Sequence, residues 1–284
     1  MTARRAPVAV LKFGGEVVAE GARLARVLAA VAELVGEGWR FLLCHGGGPQ
    51  VSALTRRLGM APVMVAGRRV TDDATLQVVK QVLGGEVNLD VVAAALAAGL
   101  DAVGFAGPSG GTVRAHRRPP APVAGGGEEL VDFGHVGRVE RIDTRLIDHL
   151  WAAGFTPVMS TLGAGTPAGE TCPLFNINAD TVASAVAEAL GADHLFLMTG
   201  VPGVLRDPTD PTTRIPRLAA GEARAAIAAG VIAGGMIPKV DEALRRLGGE
   251  GGGGIRAVHI LGASADALRG EAADPGSCGT VLVA

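Results

Sequence analysis

VAVLKFGG at residues 8–15 and FLLCHGGGP at residues 41–49 decide the fold. Each is an apolar run of strand length that stops at a glycine turn. Beyond the first turn Leu24, Val27, Leu28, Val31, Leu34 and Val35 recur at helical spacing, and beyond the second Val51, Leu54 and Leu58 do the same. Pro49 is placed to open the second helix, where its missing N–H leaves no bond unmade. Strand, glycine turn and helix, repeated at once in the same order, predict an α/β fold built on a mainly parallel sheet.

The same alternation continues outward. The pattern predicts a helix over Asp73–Ala98, a strand near Ala102–Phe105, a helix over Thr144–Ala153 and a strand at Thr156–Ser160. A helix running from Asn178-Ala179-Asp180 to Leu190, a strand His194–Thr199, helices near Gly221–Ala229 and Pro238–Leu247, and a strand Ile255–Leu261 complete it. Gly107–Glu129, rich in Gly, Pro and Arg, reads as an exposed hairpin or excursion, and Gly248–Gly254 as a flexible surface loop.

With 284 residues, 48% of them hydrophobic and 19% charged, the chain can bury a large core as one domain or two lobes. A net charge of −2 gives no general attraction to nucleic acid or an anionic membrane, so an anionic ligand must be held by local groups. No N-terminal apolar run reaches signal-peptide length and no stretch approaches a membrane span, which predicts a soluble, cytoplasmic protein. Cys44, Cys172 and Cys278 lack the spacing of a metal site or disulfide framework.

Only three of the 26 basic residues are lysines: Lys12, Lys80 and Lys239. Where arginine serves for almost every other positive charge, a retained lysine points to a need for a compact ammonium rather than a planar fork. Lys12 precedes Gly14-Gly15, and Lys239 closes Gly234-Gly235-Met236-Ile237-Pro238-Lys239. Glycine turns at the carboxyl ends of parallel strands open into a ligand crevice, where backbone N–H groups and helix N-termini approach phosphate oxygens. Gly14, Gly15 and Gly46 are therefore candidate phosphate-binding positions. No GxxxxGK[ST] loop occurs, so two ammonium groups, rather than that loop, would neutralise a moving phosphoryl group. Asp180, at a predicted helix start, either organises the two lysines or caps its helix. Arg69 either grips a carboxylate through its fork or is a solvated charge, and Asn176 and Asn178 can bond an amide or carboxylate. His45 and His135 read as structural, and Asp72-Asp73 as a helix cap.

KFGGE, HGGGPQV, GRRVTDDATL, GHVG, FNINADTVASAVAEALGA, GVPGVL, GGMIPKV and GTVLV, in this order and spacing, resemble the amino-acid kinase family and, within it, the acetylglutamate kinases. The resemblance covers almost the whole chain. It implies a three-layer αβα sandwich, with residues 1–191 as the lobe for the amino-acid substrate and dimerisation and residues 192–284 as the ATP lobe. It implies ATP with Mg²⁺, the latter held mainly by phosphates, and N-acetyl-L-glutamate as substrate. The product would be the γ-acyl phosphate made in arginine biosynthesis, and the assembly a homodimer. Carried over by position, Lys12, Asp180 and Lys239 would be catalytic, and Gly47, Gly48, Arg69, Asn176 and Asn178 would bind the substrate. Gly200, Val201, Gly203, Leu205, Gly234, Gly235 and Met236 would lie against the nucleotide. The sequence departs from the family at Gly200, where an aspartate is usual, and at Gly262-Ala263-Ser264. Only about seven residues precede the first strand, which disfavours an arginine-responsive N-terminal helix. Two rival readings remain: a kinase for an α-aminoadipate derivative carried by a small protein in lysine biosynthesis, and a silent, arginine-sensing kinase domain.

Overall fold

A computed structural model of the chain describes residues 5–122, 130–167, 172–248 and 254–284. The first part runs β1 (Val8–Phe13), α1 (Gly15–Ala19), α2 (Gly21–Gly36), β2 (Arg40–His45), α3 (Gly48–Arg57), β3 (Met64–Val65), β4 (Arg68–Arg69) and α4 (Asp73–Gln81). A π-helical turn, Val82–Glu86, then leads into α5 (Val87–Ala97), β5 (Ala102–Ala106), β6 (Val113–Arg117), β7 (Ala121–Pro122), β8 (Leu130–Val131), β9 (Gly137–Ile142) and α6 (Arg145–Ala152). The rest is β10 (Thr156–Ser160), β11 (Leu162–Ala164), β12 (Leu174–Asn176), α7 (Ala179–Ala189), β13 (His194–Thr199), β14 (Arg217–Ala219), α8 (Ala220–Ala228), α9 (Met236–Arg246), β15 (Ala257–Gly262), α10 (Ala265–Ala273) and β16 (Thr280–Val283).

One eight-stranded sheet, in the order β14-β16-β15-β13-β1-β2-β10-β5, carries the molecule. All its neighbours run parallel except β15 and β16. The α/β class with a mainly parallel central sheet is as the sequence predicts. The central strands β1, β2, β10, β13 and β15 are buried on both faces, and alternation along β1 divides the core. Val8 and Val10 pack with α7 and α9, while Ala9, Leu11 and Phe13 pack with α2, α5 and α10. Each fully buried Leu or Phe contributes on the order of 2 kcal/mol by leaving water.

The stretch Asp73–Ala97 is helical throughout, as the sequence predicts, with a π-turn at Val82–Glu86 that presses Leu83 and Val87 against the second glycine turn. One expectation is corrected. The described part of Gly107–Glu129 is not a simple excursion, because it contains β6, which joins β9, β11 and β12 in a separate four-stranded sheet. Residues 123–129 of that stretch, and 249–253 of the predicted glycine loop, lie outside the described residues.

Candidate active site

The parity of β1 decides where Lys12 points. Lys12 shares its face with Val8 and Val10, so its side chain emerges under α7 and α9, and only 8% of the residue is exposed. Asn178 caps α7: its side-chain oxygen accepts the N–H groups of Asp180 at 2.8 Å and Thr181 at 3.3 Å. The cap that the sequence left open for Asp180 thus belongs to Asn178, and Asp180 is free to turn inward from the first helical turn. Nζ of Lys12 forms an ion pair with Asp180 Oδ1 at 2.8 Å. Lys239 Nζ donates to Oδ2 of the same carboxylate. Burial pulls the Asp180 carboxyl upward, but the two ammonium groups outweigh it and hold it below the usual carboxylate range. Lys239 lies in the first turn of α9, where the helix dipole disfavours a cation, and Asp180 offsets that.

The turns after β1 and β2 are side by side because the strands pair in parallel with Phe13 opposite His45. Gly14 and Gly47 cap α1 and α3, which begin at Gly15 and Gly48, so first-turn N–H groups face the crevice. The N–H of Gly46 is already bonded to the Phe13 carbonyl. Gln50 Nε2 donates to the Gly15 carbonyl at 2.7 Å and ties the turns together. A Cβ at Gly15 would meet Gly47 Cα at 2.8 Å and Pro49 Cδ at 2.9 Å. Gly15→Ala is therefore expected to destabilise the fold by about 1–3 kcal/mol, as overpacking does. Thermal melts check this; an unchanged melting temperature would mean that the turns are not packed as described.

His45 fixes the second turn from below. Burial drives its pKa down to about 4 against the opposing pull of the Gly46 carbonyl, so the ring is neutral. Nε2 faces the donating amide of Asn88 at 3.0 Å, which leaves Nδ1 as the protonated nitrogen, donating to Gly46 O at 3.1 Å. The reading of His45 as structural agrees with this arrangement. His194, the first residue of β13, is likewise lowered to about 4, by burial and then by His259. Both histidines bind protons more readily when unfolded, so the stability they confer is complete above an ordinary pKa of 6.5 and is lost as pH falls toward 4. Unfolding free energy should fall by roughly 1.4 kcal/mol per pH unit for each of them in that window. Urea titrations across this range test it; a flat profile would contradict it.

A cleft of about 700 Å³ opens over these turns, lined by Lys12, Gly14, Gly15, Gly46, Gly47, Gly48, Arg69, Asn176 and Asn178. The structure thus gathers these predicted residues around one space, with Asp180 and Lys239 one contact behind Lys12. Arg69 lies on β4, and its Nη2 donates to Gly48 O at 3.0 Å and Ser52 Oγ at 2.6 Å, while Nη1 is buried without a partner among the described residues. Asn176 Nδ2 donates to Thr71 Oγ1 at 3.1 Å. Asp72 caps α4, as predicted, and Asp73 pairs with His135 at 2.7 Å.

Gly200, Val201, Gly203 and Leu205, and Gly234, Gly235 and Met236 leading into α9, do not line that cleft. The first four follow the carboxyl end of β13, beside β1 on the same sheet edge. Gly203 packs against Thr280, whose N stands 3.1 Å from where a Cβ would be, and Leu205 bridges to Arg214. A Cβ at Gly200 would meet nothing within 4 Å, and the lysine pair on Asp180 forms with glycine at that position. Sequence reasoning missed Gln50, Ser52 and Arg118: the first two act through contacts that only the fold creates, and Arg118 stands in a run rich in arginine.

The model of the amino acid kinase family matches residues 7–261. The chain belongs to the amino acid kinase family. This amino acid kinase is 48% identical over 275 residues to the acetylglutamate kinase of Sorangium cellulosum (strain So ce56), covering 96% of this chain and 94% of that one. It is 47% identical over 277 residues to the acetylglutamate kinase of Anaeromyxobacter dehalogenans (strain 2CP-1), covering 97% and 98%. Among solved structures, the carbamate kinase from Giardia lamblia bound to AMP-PNP shares the fold, with a TM-score of 0.69 at 18% identity over 98% of this chain and 99% of that one.

Proposed function

We propose that this amino acid kinase transfers the γ-phosphoryl group of ATP to the γ-carboxylate of N-acetyl-L-glutamate, giving ADP and N-acetylglutamyl 5-phosphate in the second step of arginine biosynthesis. One observation carries the chemistry: a single buried carboxylate, Asp180, holds two ammonium groups beside paired glycine turns. The substrate oxygen attacks the γ-phosphorus while the bond to the β-phosphate oxygen breaks. The attacking carboxylate is already ionised at neutral pH, so no general base is needed. Lys12 and Lys239 neutralise charge on the moving group and the leaving oxygen, and Asp180 keeps them apart and in place. Arg69, Asn176, Asn178, Gly47 and Gly48 hold the acylated amino acid, and Gly14 and Gly15 approach the phosphates. The identity with the two acetylglutamate kinases supports this substrate.

Residues 192–284 are read as the ATP lobe and 1–191 as the substrate lobe, supported by β13, β15, β16 and β14 forming one half of the sheet. Gly200–Leu205 and Gly234–Met236 would then flank the nucleotide. Mg²⁺ is read as travelling with ATP, because Asp180 is occupied by two lysines. Bound there, it would neutralise phosphate charge. The homodimer reading draws support from α5, which exposes Leu89 and Leu96 on one helical face, about two turns apart, beside the edge strand β5; monomers in sedimentation would contradict it. A cytoplasmic setting follows from the biosynthetic role, and no described helix is long and apolar enough to cross a membrane.

Incubation with ATP, Mg²⁺, hydroxylamine and either N-acetylglutamate or N-acetyl-α-aminoadipate tests the reading. Hydroxamate from N-acetylglutamate is expected in clear excess; none above background would refute the assigned substrate.

A further inference from the structure

We propose that Arg118 is a further substrate-binding residue, one that grips the carboxylate of the acyl amino acid that is not phosphorylated and so helps set specificity for a dianionic substrate. The inference rests on the function proposed above.

The register of the smaller sheet places Arg118. Arg117 pairs with Gly137 in the β6–β9 ladder, and the N–H of Arg118 donates to the Val136 carbonyl at 2.8 Å. Val136 in turn bridges to Asn176. Arg118, Val136 and Asn176 therefore form one row across three neighbouring segments, with Arg118 and Asn176 separated by two strand spacings, roughly 10 Å. Side chains in one such row share a face, and both Arg118 and Asn176 line the cleft. This is the end of the cleft where the amino-acid portion of the substrate would sit, away from the phosphoryl end at Lys12.

The guanidinium is set in advance. It lies over the ring of buried Phe133, with 5.4 Å from the guanidinium carbon to the ring centroid. Its Nε is buried without a partner among the described residues. Leaving a buried guanidinium N–H unbonded is costly, and an incoming carboxylate would satisfy it in the fork geometry that arginine favours. Its neighbour Arg117 is different: it points to solvent and pairs with Asp132 at 2.8 Å. Within the cleft, Glu242 is already engaged by Arg245 and Arg246, so it does not compete for Arg118. Arg69, with a second buried and unpartnered nitrogen, completes a site with two guanidinium groups for one anion.

The test compares wild type, Arg118→Gln and Arg118→Lys with N-acetylglutamate and with N-acetyl-4-aminobutyrate, the same chain without the second carboxylate. For Arg118→Gln the KM for N-acetylglutamate is expected to rise about 10- to 100-fold, the range for a charged hydrogen bond, with kcat and the KM for ATP changed by less than about threefold. Discrimination between the two acyl compounds should narrow by the same factor, and Arg118→Lys should fall between. Equal losses on both compounds, or a raised KM for ATP, would show a merely structural role and overturn the proposal. Calorimetric binding of N-acetylglutamate to protein loaded with a non-hydrolysable ATP analogue separates the two levels. Wild type that binds none refutes the proposed substrate and this inference with it, whereas equal binding by wild type and Arg118→Gln refutes this inference alone.

Discussion

Lys12→Arg and Lys239→Arg should each lower turnover by roughly 10²- to 10³-fold, the usual loss when one preorganised charge at a developing anion is displaced. Lys12 sits in a slot walled by β1, α7 and α9, with Nζ 2.8 Å from one oxygen of Asp180, and Lys239 bonds the other oxygen. A guanidinium retains the charge but spreads it over a plane too wide for the slot, so the positive centre moves away from the phosphoryl group. The effect should appear in the single-turnover rate and much less in substrate affinity. Melting curves of the two variants report whether the fold is kept, Lys239 being the more accessible of the pair and the milder change to packing. Turnover like that of wild type in both would refute the mechanism.

Asp180→Asn preserves the shape of the side chain and removes the charge that two lysines share. Breaking a buried ion pair by neutralising one member costs about 3–5 kcal/mol, because the remaining charges lie uncompensated in a site with little water. Stability should fall toward that amount, and turnover should fall by orders of magnitude as the ammonium groups repel and separate. The pH dependence carries its own sign. The Asp180 carboxyl is held below its ordinary value of 3.8, so its contribution is present above that value and is lost only as pH falls further. The gap between variant and wild type should therefore stay constant from about pH 8 to about pH 5. Urea denaturation over that range measures it, and a gap that closes on mild acidification would mean that the carboxylate is not held by the lysines.

Much of this site was legible because its parts are local. A strand that ends in Gly14-Gly15, another that ends in Gly46-Gly47-Gly48, and lysines kept in an arginine-rich chain each announce themselves without knowledge of the fold. The limits of β1, β10 and β13 were readable for the same reason: short apolar runs between turns have sharp edges. What needed coordinates was relational. The parity of β1 makes Lys12 face α7, but only the crossing of α7 and α9 brings Lys239 to the same carboxylate. Asn178 takes the helix cap and leaves Asp180 free, a choice that two Asx residues near one helix start do not disclose. The π-turn at Val82–Glu86 interrupts a periodicity that reads as continuous helix, since one added residue hardly alters an apolar pattern. Arg118 was hidden in an arginine-rich patch, and only its place in a row with Asn176 distinguishes it from exposed Arg117.

Phosphorus NMR of a reaction with N-acetylglutamate labelled with ¹⁸O in its γ-carboxylate tests the central claim most directly. The account predicts an acyl-phosphate resonance carrying the isotope shift of a bridging ¹⁸O, because the carboxylate itself attacks the γ-phosphorus, and predicts its near disappearance in Asp180→Asn. An acyl phosphate without the shift, or none with wild-type protein, would contradict it.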